Sequence, residues 1–166
     1  MKNSILLLVL SLFTLQISAQ ESFKLKEVDS KKRLQEFEKS NYQTNIILAY
    51  FEDNYKATSG KLDILKDKEM GNVECGFTKK FEHGIVYTYH NCGETAPVKE
   101  NITLPKTDMA QLKKWIEGIH KANPSEIENV WYKGEKEFGP KDEGVGCYYK
   151  IKETKNNSII DVWCGC

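Results

Sequence analysis

The chain has 166 residues, 24 basic and 24 acidic side chains, and a net charge of zero at pH 7. That balance, with no long block of one sign, argues against nucleic acid or an anionic membrane surface as a partner. An apolar content of 40% and the lack of low-complexity segments suit a folded globular chain rather than a disordered one.

Residues 1–19 read as a signal peptide: Lys2 supplies the n-region charge, residues 5–15 the apolar stretch, and Ser18-Ala19 the small pair before Gln20. The apolar run is shorter than the ~20 residues of a spanning helix, so no membrane association is expected after cleavage. The expected location is secreted or periplasmic. Removing Lys2 leaves 23 basic residues against 24 acidic, and about 146 residues remain, enough to bury a genuine core.

Residues 20–97 form a first unit. Asp29 or Ser30 opens a helix carrying Leu34 and Phe37. A strand over 45–52 and another over 61–66 follow, and then a β-hairpin between Cys75 and Cys92 whose midpoint is His83-Gly84. Residues 98–106 read as a linker. Residues 107–166 form the second unit, in which Asp108 and Gln111 make a capping pair before Met109, Leu112, Trp115, Ile116 and Ile119 at helical spacing. Asn123-Pro124 stops that helix, and His120 near its end reads as a cation favoured by the dipole. A strand over 127–138 comes next, Gly139-Pro140 turns the chain, and a second hairpin runs from Cys147 to Cys164.

All five cysteines lie beyond the signal segment, where export makes disulfides the expected chemistry. Sixteen residues separate Cys75 from Cys92, and sixteen separate Cys147 from Cys164. With two-residue loops each pair falls at a non-hydrogen-bonded rung, close enough for a bridge. Cys147 is assigned to Cys164 on this spacing, although centring the turn on Asn156-Asn157 would select Cys166 instead. The second register also sets Lys150 opposite Asp161 and Tyr148 opposite Trp163, as complementary pairs should fall.

The expected fold is therefore α+β: one antiparallel sheet built from two tandem helix-plus-β-meander repeats, with two helices on one face. The doubled unit with one disulfide apiece resembles the β-lactamase-inhibitory proteins in layout. That resemblance implies a secreted protein inhibitor and transfers no site residue.

No nucleophile elbow, zincin helix or phosphate loop is present, the carboxylates are scattered, and the cysteine spacing is not that of zinc sites. No catalytic residue, metal or cofactor is assigned. The expected function is a non-enzymatic binding module with a protein partner. Its contact surface is the sheet face away from the helices, displaying Tyr87, Tyr89, Tyr148 and Trp163 with Lys150. The alternatives are a hydrolase or thiol enzyme using Cys166, and a carrier of a small apolar ligand held between helices and sheet.

Overall fold

The structure, a computed structural model, describes residues 23–41, 43–93, 97–123 and 127–165. The expected signal peptide and Cys166 lie outside them. Asp29 opens the first helix by accepting a hydrogen bond from the Lys32 N–H (2.9 Å), and α1 runs Ser30–Lys39. Its buried side chain is Arg33, which pairs with Glu36 (2.9 Å) and with Asp53, while Leu34 and Phe37 are half-buried. Arg33 and then Lys32 hold the Asp53 carboxyl below its ordinary range.

The segment expected as a strand over 45–52 is a helix, α2 (Ile46–Asn54). Asn45 caps it by accepting from the Leu48 N–H (2.7 Å), and Ile47, Tyr50 and Phe51 form its buried stripe. A short apolar run satisfies strand and helix patterns alike, and here the cap and the i, i+3, i+4 burial decide.

Strands β1 (Leu62–Asp67), β2 (Val73–Lys80) and β3 (Val86–His90) follow. Residues 98–106, expected as a linker, instead carry β4 (Val98–Pro105), in which Ile102 and Leu104 are buried while Asn101 and Thr103 alternate with them. Helix α3 (Met109–Lys121) has the expected cap and stripe: Asp108 accepts from the N–H groups of Ala110 and Gln111, and Leu112, Trp115, Ile116 and Ile119 are buried. The stretch 127–138 is not one strand but β5 (Asn129–Trp131), a turn through Gly134 and Glu135 at positive φ, and β6 (Glu137–Pro140). Strands β7 (Gly146–Glu153) and β8 (Asn157–Gly165) complete the chain.

The eight strands form one antiparallel sheet in the order β1-β2-β3-β4-β8-β7-β6-β5. It thus consists of two four-stranded meanders lying side by side, with β4 paired to β8. Phe51 of α2 meets Phe81 and Tyr87, and His120 of α3 meets Phe138 and Tyr149, so both helices cover the same face. The described helices number three rather than the expected two, with α1 packed on α2 and α3.

Both expected disulfides are present, Cys75–Cys92 and Cys147–Cys164. The β7–β8 ladder has the expected register: Cys147 faces Cys164, Tyr148 faces Trp163 and Lys150 faces Asp161. Its loop is closed by the Thr154 N–H donating to the Asn157 carbonyl (2.9 Å). The first hairpin differs by one residue. A three-residue turn, Glu82–Gly84, with His83 at φ 62° and Gly84 at φ 77°, replaces the expected two-residue loop. The Phe81 N–H donates to the Ile85 carbonyl (2.9 Å), Phe77 faces Tyr89, and Cys92 reaches Cys75 from beyond the end of β3. The two bridges sit in non-matching places: the first ties strand two of its meander to the segment just beyond strand three, and the second ties strands three and four of its meander.

Val28, just before α1, rests against a glycine of α3. A Cβ on Gly118 would stand 2.8 Å from the Val28 Cβ, and the Ser30 hydroxyl donates to the Gly118 carbonyl (2.8 Å). Alanine ordinarily improves a helix interior by about 1 kcal/mol over glycine. Gly118→Ala is nonetheless expected to destabilise by roughly 1–2 kcal/mol through overpacking. Denaturant unfolding measures it, and faster amide exchange over 23–30 locates it.

Candidate functional site

The one-residue change in the first hairpin turns every β3 side chain to the opposite face. Tyr87 and Tyr89, expected on the open face, therefore lie under the helices. Tyr87 is fully buried and its hydroxyl donates to Glu100 (2.8 Å), and Tyr89 packs beside Phe77 with ring centroids 5.7 Å apart. Val86, Thr88 and His90 take their place on the uncovered face. Of the five expected contact residues, Tyr148, Trp163 and Lys150 remain there together.

Two rungs organise this face. One runs His90, Lys99, Trp163, Tyr148 across β3, β4, β8 and β7; the next runs Thr78, Thr88, Asn101, Asp161, Lys150, Glu137 from β2 to β6. Tyr148 and Trp163 stack in parallel, 5.2 Å between centroids and 2° between planes. The Tyr148 hydroxyl donates to the Gly144 carbonyl (2.6 Å), which fixes the ring. Gly139 makes room for it, since a Cβ there would lie 2.6 Å from the Tyr148 ring.

Charges on the second rung are largely neutralised within the sheet. Lys150 pairs with Glu137 rather than with Asp161 opposite; Asp161 accepts from the Asn101 amide (2.6 Å) and pairs with Lys152 (2.6 Å). Lys99 is exposed and has no ion pair among the described residues. Beside it His90, Thr88, Asn101, Asp161 and the Trp163 ring line a depression of about 350 Å³. What this arrangement offers chemically is one amphipathic ring pair, an ammonium with no ion pair among the described residues, and a set of hydrogen-bonding groups, all on rigid strands.

His90, Lys99 and Asn101 were not among the expected site residues. The signal that could have found the latter two is the alternation of residues 98–104, with Ile102 and Leu104 inward and Lys99, Asn101 and Thr103 outward. His120, expected as a helix-end cation, is half-buried between α3 and the sheet, where burial lowers its pKa and favours the neutral ring. Among the described residues no group of three or more metal-ligating side chains converges, and no helix is long and apolar enough to cross a membrane. Comparison with protein-family models, curated proteins and solved structures gives no match for this chain.

Proposed function

We propose that the chain is an exported, non-enzymatic binding module that holds another protein against the uncovered face of its sheet, acting as an inhibitor where that partner is an enzyme. The observation that carries this reading is the stacked Tyr148–Trp163 pair flanked by Lys99, which has no ion pair among the described residues, on a face that the helices leave open. Rings held rigid before contact lose little entropy on binding, and tryptophan and tyrosine are among the residues that anchor interfaces. The expected signal segment and the two disulfides favour a secreted or periplasmic setting. A net charge near zero disfavours nucleic acid. The side-by-side meanders are in keeping with a doubled fold in which both halves contribute strands to the contact face: Lys99 and His90 from the first, Trp163 and Tyr148 from the second.

The test is partner recovery from the native exported proteins. Wild-type protein immobilised away from this face is expected to retain a defined partner, and Trp163→Ala with Lys99→Glu to lose it by tenfold or more, about the effect of one hot-spot residue. Unchanged near-ultraviolet circular dichroism verifies that the variant is folded. Equal recovery by both proteins removes the open face as the site, and a loss caused by Leu65→Asp on β1 instead moves it to the sheet edge, where Leu62, Ile64 and Leu65 are exposed.

A further inference from the structure

The covered side of the sheet holds a second feature that the open-face reading does not use. Between the α1–α2 connection, α3 and the centre of the sheet lies a cleft of about 290 Å³, just below the ~300–1,000 Å³ range of sites for drug-sized ligands and so suited to a smaller body. Its walls are mainly apolar and aromatic, with Phe37, Tyr89 and Tyr149 among them, and the Cys147–Cys164 bridge closes one end. Set among these is the carboxyl of Glu100, 9% exposed.

Glu100 accepts a hydrogen bond from the Tyr87 hydroxyl (2.8 Å) and lies beside the Asn45 side chain, both neutral groups. No lysine, arginine or histidine among the described residues forms an ion pair with it. A buried carboxylate without a cationic partner is costly unless something neutralises it. Aromatic faces beside it add attraction for a cation that ordinary apolar walls would lack.

We propose that this cleft binds a small organic cation, an ammonium group on a short apolar body, with Glu100 as its counter-ion and the rings of Tyr89, Tyr149 and Phe37 around it. Burial raises the Glu100 carboxyl to about 7, so its charge appears only as the pH rises through neutrality. The titratable groups facing it are phenols, Tyr87 and Tyr89 from β3 and Tyr149 from β7, and burial raises Tyr87 and Tyr149 further from ionisation. The helices and β8 face it with Phe37, Asn45, Ile119 and Val162, none of which titrates. Capture of an ammonium ion therefore strengthens with pH across the neutral range.

The experiment is a two-dimensional amide NMR titration of the purified protein with n-hexylammonium, using 1-hexanol and hexanoate as matched probes. The expected result is saturable shifts centred on Asn45, Tyr89, Glu100 and Val162, with hexylammonium bound at least about tenfold more tightly than hexanol at pH 8 and about tenfold more weakly at pH 6 than at pH 8. Glu100→Gln is expected to make the alcohol and the ammonium equivalent. The wild-type comparison with hexanol stands on its own if that variant does not fold. Equal affinity for alcohol and ammonium, no saturable shift at these residues, or a pH dependence that survives in Glu100→Gln overturns the proposal. None of these outcomes bears on the open face, because Trp163 and Lys99 lie on the other side of the sheet.

Discussion

Replacing Cys147 and Cys164 together by alanine is expected to lower the free energy of unfolding by about 3 kcal/mol, and replacing Cys75 and Cys92 by about the same amount. The equality follows from the unfolded chain, because both bridges span a sequence separation of 17 and so restrict it alike. The native consequences differ. Cys147 and Cys164 face each other within a ladder that continues to Glu153 and Ser158, so the strands stay paired without the bridge. Cys92 lies beyond β3 and is otherwise held by the Asn91 N–H on the Cys75 carbonyl (2.6 Å) and the Gly93 N–H on the Asp67 carboxylate (2.8 Å). Loss of the first bridge should therefore speed amide exchange over 91–93, and loss of the second should leave the β7–β8 amides protected. Denaturant unfolding of the two double variants gives the magnitudes. A loss below about 1 kcal/mol in either would contradict the loop-closure account. Against the 5–15 kcal/mol typical of a domain, either loss is a large fraction.

The parts of this fold legible from sequence are those where independent signals agree. Helix α3 has an aspartate cap, five apolar positions at helical spacing and an Asn-Pro stop, and the β7–β8 hairpin has its cross-strand pairs and the Cys147–Cys164 spacing in one register, which outweighs the Asn156-Asn157 turn signal that pointed to Cys166. Misreading arose where one signal stood alone. The apolar run from Ile46 to Phe51 fits both periods, and only the Asn45 cap separates them. The residues from Val130 to Phe138 are rich in β-formers, which hid the turn at Gly134 and Glu135. In the first hairpin the difference was a single residue, three in the turn instead of two, yet it decided which β3 side chains reach the open face. Tyr87 moved from the open face into the core, Tyr89 moved to the helix-covered face where it is half-buried, and His90 and Thr88 came out. Local spacing cannot fix this, because both loop lengths place the two sulfurs within reach of each other. The burial of Glu100 was equally invisible, since a glutamate between Lys99 and Asn101 reads as a surface residue.

That buried glutamate sets the second large expected effect, a stability that falls as the pH rises. In the unfolded chain Glu100 ionises near its ordinary 4.5, whereas in the folded protein desolvation holds its proton up to about 7. Unfolding in this window releases a proton, so stability is highest below the unfolded value, declines between about 4.5 and 7, and stays low above. At one 1.36 kcal/mol step per pH unit the loss at pH 8 is about 3 kcal/mol. Glu100→Gln keeps an acceptor for the Tyr87 hydroxyl but cannot ionise. It is expected to match the wild type at pH 4.5 and to exceed it by about 3 kcal/mol at pH 8. His120, whose pKa is lowered by burial, pulls the other way, since its unfolded form takes up a proton as the pH falls through 6.5. The lowered carboxyls of Asp53, Asp67 and Glu153 likewise lose stability as the pH falls, in the acid range below Glu100's window. These contributions are common to both proteins, so the difference between variant and wild type isolates Glu100. A difference that does not change between pH 4.5 and 8 would mean the carboxyl is solvated in the native state, and the counter-ion role in the cleft would fail with it. A difference that grows as expected would mean the fold retains a carboxylate at a cost glutamine would avoid, which is how a side chain kept for binding rather than for stability behaves.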